Sequence, residues 1–181
     1  MIARQSMLQF IATRDLKLMR KVNKWPAPRW IRRLAIAATR AGDGWLWYLT
    51  GLSILLVGGA ERLTAVASAG SAALVGVGIF TSLKKLSGRK RPCEIEPHCW
   101  ATLLPPDQFS FPSGHTITAF AVATVVSRRY GRQRRWVPLL AYTGAAAIGF
   151  SRLTLSAHYT SDVFVGAALG YSISSFAVLG N

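Results

Sequence analysis

Residues 111 to 127 read FPSGHTITAFAVATVVS, a short polar hinge that runs straight into an apolar stretch. Pro112 holds the backbone extended and Gly114 lets it turn and approach a ligand closely, so the spacing predicts a helix that begins near Ser113. The start of such a helix presents unpaired N–H groups and the positive end of its dipole. It is a ready anion site. His115 sets beside that site a group able to hold or lose a proton near neutral pH. Taken alone, the tetrapeptide Pro-Ser-Gly-His is more often an ordinary cap at Ser113 and a surface histidine. The surrounding chain decides its meaning.

On both sides of this hinge the chain alternates apolar runs with short charged turns. Trp45 to Gly59, Leu63 to Leu83, Thr116 to Ser127, Trp136 to Phe150 and Ser161 to Gly180 read as spanning helices. The aromatics Trp45, Trp47 and Tyr48 suit a headgroup boundary, and the Gly, Ala and Ser of the second run suit close helix packing. Several runs fall short of the roughly 20 residues a bilayer core requires, so they must extend into their loops or be sheltered by the bundle. A mean hydropathy of +0.28 and 51% hydrophobic residues agree with a membrane protein. The predicted fold class is all-α, an integral-membrane helical bundle of about five spanning helices.

Ahead of the bundle, residues 1 to 24 read as an amphipathic helix. Leu8, Ile11, Leu18, Met19 and Val22 lie on one side and Arg14, Lys17, Lys21 and Lys24 on the other, with Asp15 interrupting the apolar face. It is expected to lie on the membrane surface. Trp25-Pro26-Ala27-Pro28 ends it, and the mixed residues 31 to 43 read as a second interfacial piece. The organisation expected is therefore an interfacial segment over 1–43 and a membrane domain over 44–181. No apolar core followed by a small-residue cleavage site opens the chain, so no cleaved leader is expected.

The chain carries 22 Lys and Arg against 7 Asp and Glu, a formal charge of +15. That balance fits anionic headgroups or a phosphorylated substrate. Nucleic acid fits less well, because the aromatics sit in apolar runs and no nucleic-acid-binding signature appears. Alternation of the spans puts the long connection 84–115 and the connection 151–160 on the same membrane face. Together they bring three cations (Lys84, Arg91 and Arg152), two histidines (His115 and His158) and Asp162 to one surface.

In order and in internal spacing, Lys84 with Arg91-Pro92, then Pro112-Ser113-Gly114-His115, then Ser151-Arg152 with His158 and Asp162 resemble the three signature motifs of the type 2 phosphatidic acid phosphatases. Soluble acid phosphatases and vanadium haloperoxidases belong to the same superfamily. The resemblance spans Lys84 to Asp162 without departure at a signature position. It implies that His158 is the nucleophile that forms a phosphohistidine, with Asp162 accepting its other ring N–H. His115 would protonate the leaving oxygen and then take a proton from water, a contribution of roughly 10²–10⁴ in rate. Lys84, Arg91, Arg152, the Ser113 hydroxyl and the Gly114 N–H would hold the phosphoryl oxygens. Three cations do the work of a metal in this scheme, so no cofactor is expected.

Cys93 and Cys99 share the long loop. Their spacing, with Glu94, Glu96 and His98 between, matches no common zinc pattern; they are either free thiols or a disulfide facing an oxidising compartment. Two signals on orientation conflict. If the residues before Trp45 stay on the catalytic face, that face carries 16 Lys and Arg against six, which favours the cytoplasm. The cysteine pair and the likeness to bacterial members of the family favour the periplasmic face of the inner membrane, which is the expectation adopted. The function expected is hydrolysis of a lipid phosphate or diphosphate: undecaprenyl diphosphate, phosphatidate, phosphatidylglycerol phosphate or lipid A. A cytoplasmic site would instead favour a polyprenyl-phosphate sugar precursor. A binder or transporter that used the cations without turnover would need neither histidine nor Asp162 at these spacings.

Overall fold

A computed structural model describes residues 2–96 and 107–179. Among them lie α1 (Ile2–Lys24), α2 (Arg29–Gly42), α3 (Trp45–Val57), a 3-10 turn (Gly59–Glu61), α4 (Arg62–Ser87), α5 (Pro92–Ile95), α6 (Gly114–Tyr130), α7 (Trp136–Thr154) and α8 (Thr160–Leu179). Outside the helices, an isolated antiparallel bridge joins Lys90 to Phe109. The all-α bundle expected from the sequence is what forms.

At the centre stands α6, the helix that follows the Pro-Ser-Gly-His hinge, packed against α4, α7 and α8. Its middle, Thr116, Ile117, Ala119 and Ala121 to Val125, is buried, which is how two of the three threonines of this run are sheltered by the bundle. Its neighbours approach closely because they carry small residues on the facing side. On α8, one turn apart, a β-carbon at Gly166 would stand 2.9 Å from the Ser113 carbonyl oxygen. One at Gly170 would stand 2.3 Å from that of Ile117. No side chain fits at Gly170 without separating the helices.

The outward faces of α3, α4 and α8 carry exposed Leu52, Leu56, Leu74, Phe164 and Phe176. The helical stretches 59–87 and 160–178 are by length and hydropathy able to cross a membrane, whereas α3 is as apolar but has only 13 residues.

Two elements differ from the sequence reading. The first is α7, which continues one turn past Phe150 and carries Ser151 and Arg152 as buried helical residues rather than loop residues. The helix tolerates them because Ser151 Oγ donates to the Ile148 carbonyl and Arg152 donates to the Thr39 hydroxyl. The second is Asp15, read as a break in the apolar face of α1. It is buried at 3% exposure and accepts hydrogen bonds from Arg89 and Ser161, so it fastens α1 to the end of the bundle. Meanwhile α2 packs along α7 and reaches α6, burying Ala35 and Thr39.

Candidate active site

The C-terminal ends of α4 and α7 and the N-terminal ends of α6 and α8 meet at one end of the bundle, as the alternation of apolar runs required. Lys84 lies in the last turn of α4, which Gly88 closes in the left-handed conformation (φ 54°). From there the chain turns into the segment holding Arg89, Lys90 and Arg91. Residues 107–110 return alongside it through the Lys90–Phe109 bridge and a bond from the Ser110 N–H to the Arg89 carbonyl (2.8 Å). This places Arg91, 1% exposed, beneath the nucleophile candidate.

His158 precedes α8 and is 3% exposed. Its Nδ1 lies 2.6 Å from the Ser110 carbonyl oxygen and its Nε2 lies 3.2 Å from Arg91 Nη1. A carbonyl only accepts, and a guanidinium only donates. The proton is therefore on Nδ1, and Nε2 keeps its lone pair. Burial first, then the charges of Arg152, Arg91 and Lys84, push the His158 imidazole well below its usual value near 6.5. It is neutral at physiological pH, the state a nucleophilic imidazole would need.

The ring N–H expected on Asp162 thus goes to a backbone carbonyl instead. His158 lies outside the α8 helix, so the four-residue interval does not form one helical turn. Asp162 Oδ2 stands 3.7 Å from Nδ1, near enough to act through charge. Its hydrogen bonds come from the Tyr159 N–H (2.8 Å) and Arg89 Nη1 (2.7 Å). Arg89 also bonds Asp15 and lies over the Tyr159 ring at 4.1 Å. Behind the imidazole, then, Asp15, Arg89 and Asp162 form a charged row that joins α1 to the start of α8.

Ser113 is fully buried. Its hydroxyl makes no capping bond to α6 and accepts one from the Thr116 hydroxyl at 2.9 Å. Gly114 begins the helix beside the ring of Phe80. His115 Nε2 is 2.7 Å from Asp43 Oδ1 at the C-terminal end of α2. The charges of Lys84 and Arg152 act on both His115 and His158.

Lys84 and Arg91 share the carboxylate of Asp107, with Lys84 Nζ on Oδ2 and Arg91 Nη2 on Oδ1 at 2.7 Å. Burial raises the Asp107 carboxyl, and the bonds and charges of Lys84 and Arg91 outweigh it, holding the group below its usual value. Every candidate site residue in the described chain is therefore at this end. Cys99, the proposed partner of Cys93, lies outside the described residues. Cys93 itself is at the start of α5, where its N–H donates to the Ser156 carbonyl.

Four of the chain's seven acidic residues are aspartates, and all four touch this cluster: Asp15 on Arg89, Asp43 on His115, Asp107 on Lys84 and Arg91, Asp162 on Arg89. Sequence reasoning singled out only Asp162. The scarcity of acid in so basic a chain was the available signal.

A model of the PAP2 superfamily matches residues 63–180, most of the chain and all three motifs. The chain belongs to the PAP2 superfamily. Its fold is that of the crystal structure of LpxE from Aquifex aeolicus, with a TM-score of 0.76 at 26% identity over 91% of this chain and 94% of that one. The transmembrane PAP2-type phosphatidylglycerolphosphate phosphatase of Bacillus subtilis has the same fold, with a TM-score of 0.70 at 21% identity over 93% of this chain and 84% of that one. PAP2 relatives by sequence include a lipid A 1-phosphatase of Porphyromonas gingivalis, 48% identical over 34% of this chain and 14% of that protein. Another is a decaprenylphosphoryl-5-phosphoribose phosphatase of Mycobacterium tuberculosis, 35% identical over 59% of this chain and 56% of that protein. The matched stretches thus cover at most about half the length of these PAP2 relatives. The PAP2 match begins at Leu63, so α1 and α2, with Asp15, Thr39 and Asp43, lie outside it.

Proposed function

We propose that this chain is a membrane phosphatase that hydrolyses a lipid phosphomonoester or diphosphate through a phosphohistidine at His158. The observation that carries this reading is the setting of the buried His158 ring, whose Nδ1 lies 2.6 Å from the Ser110 carbonyl oxygen and whose Nε2 lies 3.2 Å from Arg91, with the charges of Lys84 and Arg152 also acting on it. Phosphorus attacked by Nε2 would have its equatorial oxygens against those cations, the Ser113 hydroxyl and the Gly114 N–H, where charge redistributes in the transition state. His115 would give its proton to the leaving oxygen and recover one from the attacking water. Asp162 would stabilise the charge that His158 acquires. The three cations leave no step that requires a metal, so hydrolysis is expected to survive chelation by EDTA.

A lipid substrate fits the surroundings. An apolar cleft of about 720 Å³ runs between α3, α6 and α7, lined by Trp47, Ala119, Val122, Leu140 and Ile148 among others. Ile148 also approaches Gly42, the residue packed on the His115 ring. A hydrocarbon chain in that cleft would leave its phosphate at the cation cluster. Anionic headgroups would meet the basic residues of α1 and α2. The substrate class proposed is that of undecaprenyl diphosphate, phosphatidate, phosphatidylglycerol phosphate and lipid A phosphates, met from the periplasmic side of the inner membrane by a bundle of five spans (α3, α4, α6, α7 and α8). The decaprenylphosphoryl-5-phosphoribose phosphatase likeness supports a second reading, a polyprenyl-phosphate sugar precursor, the class a cytoplasmic site would meet.

The test is phosphate release in detergent across these lipids, with and without EDTA. Hydrolysis by the wild type and its loss in His158→Ala are expected; wild-type turnover in that variant would remove the proposed nucleophile.

A further inference from the structure

His115 is held by a residue that the family motifs do not include. The end of α2 forms a tight corner: the Asp43 N–H donates to the Arg40 carbonyl (3.1 Å) and Trp47 Nε1 donates to the Gly42 carbonyl (3.3 Å). Gly44, with φ 128°, then turns the chain into α3, and its carbonyl accepts the Trp47 and Tyr48 N–H groups. Two residues of this corner touch the imidazole. A β-carbon at Gly42 would stand 2.8 Å from His115 Cδ2, so the backbone there lies against the ring with no room for a side chain. Asp43 Oδ1 lies 2.7 Å from Nε2. Since a carboxylate accepts, Nε2 is the protonated nitrogen and Nδ1 is left for the substrate.

We infer that Asp43 is the positioning residue of the general acid, holding the His115 ring by its Nε2–H so that Nδ1 carries the proton delivered to the leaving oxygen. This rests on the phosphatase reading and deepens it. In the first half-reaction the bond from phosphorus to the leaving oxygen breaks as a phosphorus–nitrogen bond forms at His158 Nε2. The Nδ1 proton of imidazolium His115 moves to the departing oxygen, giving an alcohol, while the Nε2 proton stays on its bond to Asp43. In the second, water attacks phosphorus, its proton returns to Nδ1, and the phosphorus–nitrogen bond breaks to release phosphate and restore neutral His158. Arg152 and Lys84 bear on His115 as cations, and Asp43 is the carboxylate that opposes them. Without it, an imidazolium beside two positive side chains has nothing to balance its charge.

A group that serves only the general acid matters in proportion to how badly the leaving group needs a proton. The experiment compares kcat/KM for an alkyl phosphate in detergent, whose alkoxide leaves poorly, with kcat/KM for p-nitrophenyl phosphate, whose phenolate leaves unprotonated. The proteins are wild type, Asp43→Asn, Asp43→Glu, Gly42→Ala and His115→Asn. Asp43→Asn is expected to lose about 10- to 100-fold on the alkyl phosphate, part of the roughly 10²–10⁴ available to general acid catalysis, and less than about threefold on the nitrophenyl ester. His115→Asn should show the same pattern with larger amplitude. Gly42→Ala, which displaces the ring with Asp43 intact, should follow it, and Asp43→Glu should restore part of the loss. Vanadate inhibition should change by less than about threefold in Asp43→Asn, because the cations remain. Equal losses on both esters, or none, in an Asp43→Asn protein that still binds vanadate would overturn the role of Asp43. A wild type that hydrolyses neither ester would overturn the phosphatase reading and this inference with it.

Discussion

Asp15 is the sharpest test of how the N-terminal helix and the catalytic end are joined. Its side chain is 5% exposed and pairs at 2.7 Å with Arg89, itself 24% exposed, while the Ser161 N–H and hydroxyl also donate to it. Removing one partner from a fully buried ion pair costs about 3–5 kcal/mol. Arg89 is partly solvated and keeps Asp162, so the cost here is smaller, about 2–3 kcal/mol for Asp15→Ala. For a chain of this size each kcal/mol moves Tm by about 2–4 °C, which gives a fall of roughly 5–10 °C in detergent. The same variant should lose part of its activity, because Arg89, no longer tied to α1, is less firmly fixed behind His158. Limited proteolysis would read the local part of the change: cleavage after the basic residues of α1 should quicken before cleavage elsewhere. An unchanged Tm with wild-type turnover would show that the contact between α1 and Arg89 contributes nothing, and the row of Asp15, Arg89 and Asp162 would lose its assigned role.

Gly170→Ala puts a β-carbon 2.3 Å from the Ile117 carbonyl and should cost at least the roughly 1–3 kcal/mol of an overpacked contact, while Gly144→Ala, which meets nothing within 4 Å, should keep or slightly raise Tm; equal losses would disprove the close approach of α8 to α6. Since His158 is held well below 6.5, its imidazole should remain neutral with Nδ1 protonated as pH falls through 6.5 in nitrogen NMR, and stability should decline only below that pH, as the unfolded histidine takes up a proton that the folded one refuses; protonation at or above 6.5 would contradict the burial and the three cations. Asp107→Asn should tighten inhibition by inorganic phosphate and vanadate about three- to tenfold, because the carboxylate that occupies Lys84 and Arg91 is gone, and weaker inhibition would mean that Asp107 orients the two cations rather than competing for them.

Much of the site could be read from the chain because its motifs sit where apolar runs end. Lys84, His115, Arg152 and Asp162 each lie within a few residues of such a boundary, and alternation alone brings those boundaries to one end. The helix that follows Pro-Ser-Gly-His also announced itself through its hinge, and it became the centre of the bundle because Gly166 and Gly170 allow α8 to close on it. By contrast, nothing local marks Asp107 or Asp43 as partners of residues 16 to 72 positions away. Their contacts exist only once loops from different helices meet.

Sequence by itself determined the class of fold, the end of the bundle where the three motifs meet and the residue types found there, since hydropathy and residue spacing are properties of the chain taken in order. Tertiary structure decided which atom of each histidine carries the proton. The Ser110 carbonyl, rather than Asp162, takes the Nδ1–H of His158, and Asp43 takes the Nε2–H of His115. Hydrogen bonds are directional and reach barely 3 Å, so a change of one partner follows from shifts in backbone path that no pattern of residues records.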